Sequence, residues 1–314
     1  MKNEKKIAVA IPCYCVEEHL EQVVADIPAF VDLVLLVDDC SPDGTPELVD
    51  RLADGSRIYA IHHAENKGVG GAIKTAFRKA MEMDVDVVVK LDGDGQMDST
   101  YIEPLVEALG NGDFAKGNRL FDRRMLRRMP AIRRIGNMGV GFMVKAASGY
   151  WNVSDPVNGF FAISADTLRR MDLDRVADSY FFESSMLIEM YYTGARISEV
   201  PMPAIYGDEQ SNLSIGKTIF SFPPRLVGAW LRRLRLSYFV YDFNICSLYI
   251  LVGLPSFLFG LIFGLCNWIH YASMSCPSPT GTIMVAVLTF ILGFQMLLSA
   301  AQYDISAPNP FDKV

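Results

Sequence analysis

Across residues 243–303 the chain has not one Asp, Glu, Lys or Arg. An uncharged stretch of that length excludes an ordinary water-facing domain, since ~20 apolar residues already suffice to cross a ~30 Å hydrocarbon core. Cysteines are few and scattered, at positions 13, 15, 40, 246, 266 and 276, with no Cys-x-x-Cys pair and only four histidines in the whole chain. Neither a zinc centre nor a disulfide framework fits that spacing, so reduced thiols are expected. Basic residues are outnumbered: 29 Lys and Arg stand against 36 Asp and Glu, a net charge of −7. That balance excludes a general nucleic-acid binder, which needs a positive footprint. No Gly-x-Gly-x-x-Gly follows the first strand-like run, which argues against a dinucleotide-dependent oxidoreductase. The start, MKNEKKIAVAIP, is too short in apolar residues for a signal peptide, so a cytoplasmic soluble part is expected.

What is present is an alternation. Strand-like runs at residues 7–11, 33–37 and 57–61 alternate with helix-like runs at 17–29, 46–53 and 69–83, then a strand over 85–91 and a helix over 100–109. Such a pattern predicts an α/β fold, a mostly parallel sheet with helices on both faces. Right-handed crossovers put the carboxyl ends of its strands on one edge, where open sheets bind ligands. Three segments send polar groups there: Pro12-Cys13-Tyr14, Asp38-Asp39-Cys40-Ser41 and Asp92-Gly93-Asp94.

The third of these closes the run VDVVVKLDGDGQMD at residues 85–98. Two carboxylates so close repel unless something positive lies between them, and a divalent metal carrying phosphate oxygens answers that need. The same Asp-Gly-Asp-Gly composition also makes a plain turn.

LDGDGQMD resembles the Asp-x-Asp signature of the family 2 glycosyltransferases, in the form typical of the branch that loads a sugar onto a dolichyl or undecaprenyl phosphate. The resemblance covers residues 7–303 and implies a GT-A, Rossmann-like sheet. It implies that Asp92, Asp94 and Gln96 hold Mg²⁺ or Mn²⁺ against the donor diphosphate. IPCYCVEE resembles the nucleotide-binding start of that family, which assigns Pro12, Tyr14 and Glu17 to the donor, with Cys15 where relatives carry Asn. VDDCSPDGT resembles its DDxSxDGT segment, which assigns Asp38 and Asp39 to the base and ribose. Lys67, in the glycine-rich segment 66–71, corresponds to a diphosphate contact, although glycines opening a helix are equally explained by close backbone packing. Arg119 matches the Gly-x-Arg motif and is assigned to a phosphate, a task its planar fork suits. Asp155 matches the Asp of DxxxGF near the reacting centre, and Glu183 an acidic residue facing the acceptor; an Asp-Pro turn and a helix-starting charge are the plainer readings.

Basic residues also collect where apolar ones interleave. Arg123, Arg124, Arg127, Arg128, Arg133 and Arg134 alternate with Met125, Leu126, Met129 and Ile132, which fits either a solvated face or an element on an anionic membrane surface. The segment 206–217 has Asp208 and Glu209 where relatives carry a basic loop, leaving only Lys217 for a phosphate. Residues 219–241, rich in Arg and large apolar side chains, predict an interfacial helix interrupted by Pro223-Pro224. Two spans are predicted at 245–269 and 283–303, with the preceding arginines on the cytoplasmic side, making this an integral membrane protein with both termini cytoplasmic. The expected organisation is therefore a cytosolic catalytic domain over 1–215, juxtamembrane amphipathic helices over 216–242, a transmembrane hairpin over 243–305 and a tail over 306–314.

These features predict a metal-dependent inverting transferase that moves a sugar from a nucleotide-sugar donor, a UDP-sugar by the resemblance, to the phosphate of a membrane polyprenyl phosphate. No Gln-x-x-Arg-Trp of the processive polysaccharide synthases is present. A membrane-anchored transferase for another acceptor and a non-catalytic nucleotide-binding scaffold remain as alternatives. Partners are then the donor, the lipid acceptor and the bilayer, without nucleic acid, and relatives of this kind often assemble as tetramers.

Overall fold

The computed structural model describes residues 5–121, 131–203 and 215–313. Arg123, Arg124, Arg127, Arg128, Asp208 and Glu209 lie outside the described residues, as do the side chains of Arg133, Arg134 and Lys217. The chain divides into two compact units, one of Met1–Trp230 with Phe311–Val314 and one of Leu231–Pro310.

In chain order the first unit runs β1 (Ile7–Cys13), α1 (Leu20–Ala25), β2 (Leu33–Asp38), α2 (Thr45–Leu52), β3 (Ile58–His62), α3 (Val69–Glu82), β4 (Val87–Lys90), α4 (Ile102–Ala108), β5 (Phe114–Asn118), α5 (Ala131–Ser148), β6 (Phe161–Ser164), α6 (Ala165–Arg170), α7 (Phe182–Tyr191) and β7 (Ile197–Pro201), and α8 (Ile215–Arg235) leads out of it. The strands form one seven-stranded sheet in the order β3-β2-β1-β4-β6-β5-β7. Only β6 is reversed, pairing antiparallel with both β4 and β5. The mostly parallel sheet expected from the alternation is thus observed.

Side-chain alternation along each strand builds a core on both faces. Ala8, Ala10, Leu35, Val37 and Val88 pack with α3, α5 and α7. Val9, Ile11, Val34, Leu36, Val87 and Val89 pack with α1, α2 and α4. On the first face Phe161 lies 4.9 Å from Phe114 and 6.5 Å from both Phe77 and Phe182, so the centre of that layer is aromatic. Helix α1 is shorter than the predicted 17–29 because Glu17 is drawn to the backbone of Gly44 and Pro28 cannot continue a helical ladder. Helix α5 has no counterpart in the sequence reading. Gly136, Gly139 and Gly141 dilute its apolar period, and contacts such as those of buried Val144 and Ala147 define it instead.

One structural expectation is corrected. The chain stays helical through Pro223 and Pro224 across the whole of α8. Each proline removes one donor, yet its fixed φ is already helical, so the helix continues where its neighbours tolerate the lost bonds. A π-helical turn, Leu236–Tyr241, follows.

The second unit is a helical hairpin of α9 (Ile245–Ser273) and α10 (Thr280–Ser306). Both are long and apolar enough to cross a membrane, and each contains its predicted span. Helix α9 opens on a reciprocal capping box between Asn244 and Ser247. The buried stripe consists of small residues at seven-residue intervals, Cys246, Gly253 and Gly260 on α9 against Ala286, Gly293 and Ala300 on α10. The backbones touch there: a Cβ at Gly260 would meet the amide of Phe290, and one at Gly293 that of Phe257. Small residues are what let apolar helices approach closely where no water drives them together.

A charged lock closes the hairpin's end. Arg233 donates to both carboxylate oxygens of Asp304 at 2.7 Å, and the Tyr238 hydroxyl donates to the same carboxylate at 2.7 Å, all three being buried. Arg233, expected among the arginines of an interfacial helix, is instead buried in this lock. Removing one partner strands the other charge in a dry site, which costs about 3–5 kcal/mol, whereas one hydrogen bond is worth about 1 kcal/mol. Asp304→Asn is expected to lower the unfolding temperature of the detergent-solubilised protein several times further than Tyr238→Phe; equal shifts would contradict this account.

Candidate active site

The sheet brings its polar groups to one edge. Register pairs Cys13 of β1 with Asp38 and Asp38 with His62, and pairs Lys90 with Phe161 and Phe161 with Lys116, so the carboxyl ends of the forward strands meet the amino end of β6. Because β6 runs backwards, the loop before it, rather than after it, lands on that edge. This loop carries Asp155, Asn158 and Gly159.

At the β1–β2 end, Pro12 is half-buried while Tyr14 and Glu17 are exposed, and Glu17 accepts from the Gly44 amide at 3.1 Å. Asp38 and Asp39 are both 2 % exposed. Asp38 accepts from the Ser41 amide at 3.2 Å and faces His62 Nδ1 at 3.3 Å. Asp39 accepts from the amides of Lys67 and Gly68 at 2.9 and 2.7 Å and faces Nδ1 of buried His63 at 2.7 Å. Asp39 thus holds the protein's own glycine-rich segment in place. The glycines serve packing: Gly68 has φ +86°, and the amides of Gly70 and Gly71 reach the Asp178 carbonyl at 2.8 and 3.2 Å. The Lys67 side chain stands exposed beside them. Cys15, exposed at φ +54°, has its thiol pKa raised by desolvation and by Asp43 and Asp38, so it is not an activated nucleophile.

The acidic turn after β4 has a definite shape. Asp94 accepts from the Gln96 amide at 3.0 Å, Gly95 adopts φ +72°, and Asp92, Asp94 and Gln96 are all half-buried. Asp92 is met by Lys90, whose Nζ lies 2.6 Å from Asp92 Oδ1 and 3.6 Å from Glu183 Oε1. Burial alone would depress the Lys90 ammonium, but Asp92, Glu183 and Asp94 more than offset it and its pKa is raised. Arg119, just past the end of β5, grips Asp155 through Nε at 2.8 Å and Nη2 at 3.2 Å, and its backbone amide also reaches that carboxylate at 3.2 Å. Glu199 orders the same loop by accepting from the amides of Ser154 and Asp155 at 2.7 and 3.2 Å. Lys116 donates to the Asn158 carbonyl, and Asn158 Nδ2 donates back to the Gly117 carbonyl at 2.7 Å.

Of the predicted residues, Asp92, Asp94, Asp155, Arg119 and Glu183 therefore gather around one buried polar cluster, while Pro12, Tyr14, Glu17, Asp38, Asp39 and Lys67 line the neighbouring β1–β2 end. Lys90, Lys116, Asn158, Gly159 and Glu199 were missed. A lysine within the apolar run VVVKL was a readable signal for the first of these. Among the described residues, no group of three or more His, Cys, Asp or Glu is arranged to hold a metal. Two carboxylates and an amide oxygen are still a fitting donor set for Mg²⁺ or Mn²⁺, which take one or two protein carboxylates and complete their shells with substrate phosphates and water.

A GT-A type sheet with an acidic turn at its carboxyl edge defines a glycosyltransferase domain. The chain belongs to glycosyl transferase family 2, whose model matches residues 8–171. It is similar to a UDP-N-acetylglucosamine–dolichyl-phosphate N-acetylglucosaminyltransferase of Methanococcus voltae, at 30% identity over 237 residues covering 69% of this chain and 94% of that protein. An undecaprenyl-phosphate mannosyltransferase of Micrococcus luteus is 33% identical over 171 residues, covering 54% of this chain and 70% of that protein. Among solved structures, glucosyl-3-phosphoglycerate synthase from Mycobacterium tuberculosis, in complex with Mn²⁺, uridine diphosphate and glucosyl-3-phosphoglycerate, shares the fold at TM-score 0.52 and 18% identity over 74% of this chain and 80% of that one.

Lys116 supplies a pH test. Its ammonium is buried, and desolvation outweighs the pull of Asp155 and Glu183, so its pKa falls from 10.5 to about 8. Between those values the unfolded chain binds the proton that the folded one has lost, so this group adds stability as pH rises from about 8 towards 10.5. The unfolding temperature of wild type minus that of Lys116→Met is expected to increase across this window; a flat difference would contradict the burial of a charge-bearing Lys116.

Proposed function

We propose that this protein transfers a sugar with inversion from a nucleotide-sugar donor to the phosphate of a membrane polyprenyl phosphate, giving a polyprenyl-phosphate-linked monosaccharide. The observation that carries the reading is the meeting, on one sheet edge, of the Asp92–Asp94 turn with an Arg119 guanidinium held bidentately by buried Asp155. Family membership and the named activities of the relatives support it, as do two helices fit to cross a membrane. In this reading α9 and α10 span the bilayer with both termini on the cytoplasmic side.

Asp94, Asp92 and Gln96 are the groups that would hold the divalent cation. When bound, the cation neutralises charge developing on the departing nucleotide diphosphate. Pro12, Tyr14, Glu17 and the Asp38 end of β2 form the wall against which the base and ribose lie. Asp155 fixes the plane of the Arg119 guanidinium, pre-orienting its donors for a phosphate. The lipid phosphate oxygen forms its bond to the anomeric carbon on the face opposite the breaking bond to the diphosphate, which leaves with its electron pair. A phosphate monoester with a second pKa near ~6 is already largely ionised at neutral pH, so no strong base is required. Glu183 and Asp155, each paired with a cation, suit shaping the acceptor side over taking a proton.

The test is direct. Purified full-length protein with Mn²⁺ or Mg²⁺, a short polyprenyl phosphate and labelled UDP-N-acetylglucosamine, UDP-glucose or GDP-mannose should move label into the organic phase. Asp94→Asn should lower that rate about a thousandfold with the circular dichroism spectrum unchanged, and undiminished transfer would refute the assignment.

A further inference from the structure

Two buried lysines have no part in the mechanism above. Lys90 of β4 and Lys116 of β5 are both register partners of Phe161 of β6, so the three side chains stand in a row on one face of the sheet. Each lysine is 1 % exposed. A buried ammonium is costly, and an apolar side chain of similar volume often serves a fold better, so the charge itself requires a reason. Lys116 has a local one, since its ammonium lies 5.9 Å from the Phe161 ring centroid and donates to the Asn158 carbonyl, holding down the loop before β6.

Lys90 differs in joining two separate elements. Its Nζ is 2.6 Å from Asp92 in the acidic turn and 3.6 Å from Glu183 in the first turn of α7. The place of Gly159 shows how tight the group is. A Cβ there would lie 2.5 Å from Lys90 Nζ, 3.2 Å from Glu183 Oε1 and 3.5 Å from Asp92 Oδ2. Both carboxylates thus close on one point, and the ammonium is what lies between them. Without it, two partly buried like charges would repel and the turn would shift away from α7.

We propose that Lys90 is a positioning residue for the transfer reaction: its ammonium acts as a resident cation that sets the Asp92 carboxylate, and with it the acidic turn, against Glu183 on the acceptor side. The proposal rests on the sugar-transfer reading for its consequence. It goes beyond that reading in assigning Lys90 a task that neither binds substrate nor moves a proton. Because Lys90 acts on the relative placement of two sides of the site, it bears on turnover more than on donor capture. With Asp92 Oδ1 committed to Lys90, loss of the ammonium also leaves more negative charge for an added cation.

The experiment uses the full chain in detergent with three variants: Lys90→Met, Glu183→Gln and the two combined. Lys90→Met is expected to lower kcat about 100-fold while KM for the donor stays within about threefold. The combined variant is expected to be no slower than Lys90→Met alone, because removing the Glu183 charge relieves the repulsion left by the missing ammonium. Turnover of Lys90→Met within about threefold of wild type, or losses that multiply in the combined variant, would overturn the proposal. If Lys90→Met does not fold, an Asp92→Asn and Glu183→Gln cycle reads the same coupling, with multiplying losses again the refuting result. Failure of the transfer reading itself shows differently, as no lipid-linked label from wild type with any of the three donors. In that event calorimetry with Mn²⁺ and UDP still decides: Lys90→Met should bind Mn²⁺ about tenfold more tightly, and unchanged affinity would sink the role given to Lys90.

Discussion

A charge taken out of water must be met by an opposite charge or by fixed dipoles, and both units of this protein are arranged around that requirement. At the sheet edge, Lys90 pairs with Asp92 and Glu183 and Arg119 pairs with Asp155, while Lys116 donates to the Asn158 carbonyl. These contacts tie the acidic turn to the start of α7 and hold the loop before β6 against the end of β5. Groups fixed in advance stabilise developing charge without reorganising during the reaction. In the hairpin the same requirement joins Arg233, Asp304 and Tyr238 next to two helices that carry no other Asp, Glu, Lys or Arg.

The reversed strand makes the first cluster achievable. Were β6 parallel to its neighbours, Asp155, Asn158 and Gly159 would fall on the opposite edge, where a shallow cavity of about 520 Å³ is lined by Val87, Asp113, Ser164, Arg169 and Arg170 and holds none of the family motifs. Reversal instead places Asp155 within reach of Arg119 at the end of β5, and Gly159 over Lys90 at the end of β4. A Cβ at that glycine would press on the ammonium and shift it from its place. Elsewhere the fold uses glycine for the same purpose of close approach, at Gly70 against Ala177 and Asp178 and at Gly293 against α9.

Much of this was legible in the chain. Strong period-2 and period-3.6 patterns carry the strands and helices over residues 7–109, because each element buries one face against one layer. The motif residues Asp92, Asp94, Arg119, Asp155 and Glu183 were picked out individually, and two apolar helices were found close to their predicted limits. Where the reading fell short, the cause was a partner distant in sequence. Helix α5 hides behind three glycines, Pro223-Pro224 sits inside a helix that continues regardless, and Arg233 looks like one more surface arginine until Asp304, 71 residues away, is seen beside it.

Local pattern, then, determined the α/β class, the acidic turn, the family resemblance and the two long apolar helices, because those properties depend on neighbours a few residues apart. Only the tertiary structure decided that β6 runs backwards, that Asp39 is spent on holding the glycine-rich segment, and that Lys90 stands between Asp92 and Glu183. Asp39 and Lys67 are 28 positions apart and Lys90 and Glu183 are 93 apart, and the free energy of a buried charge depends on what surrounds it in space, which the order of residues along the chain does not state.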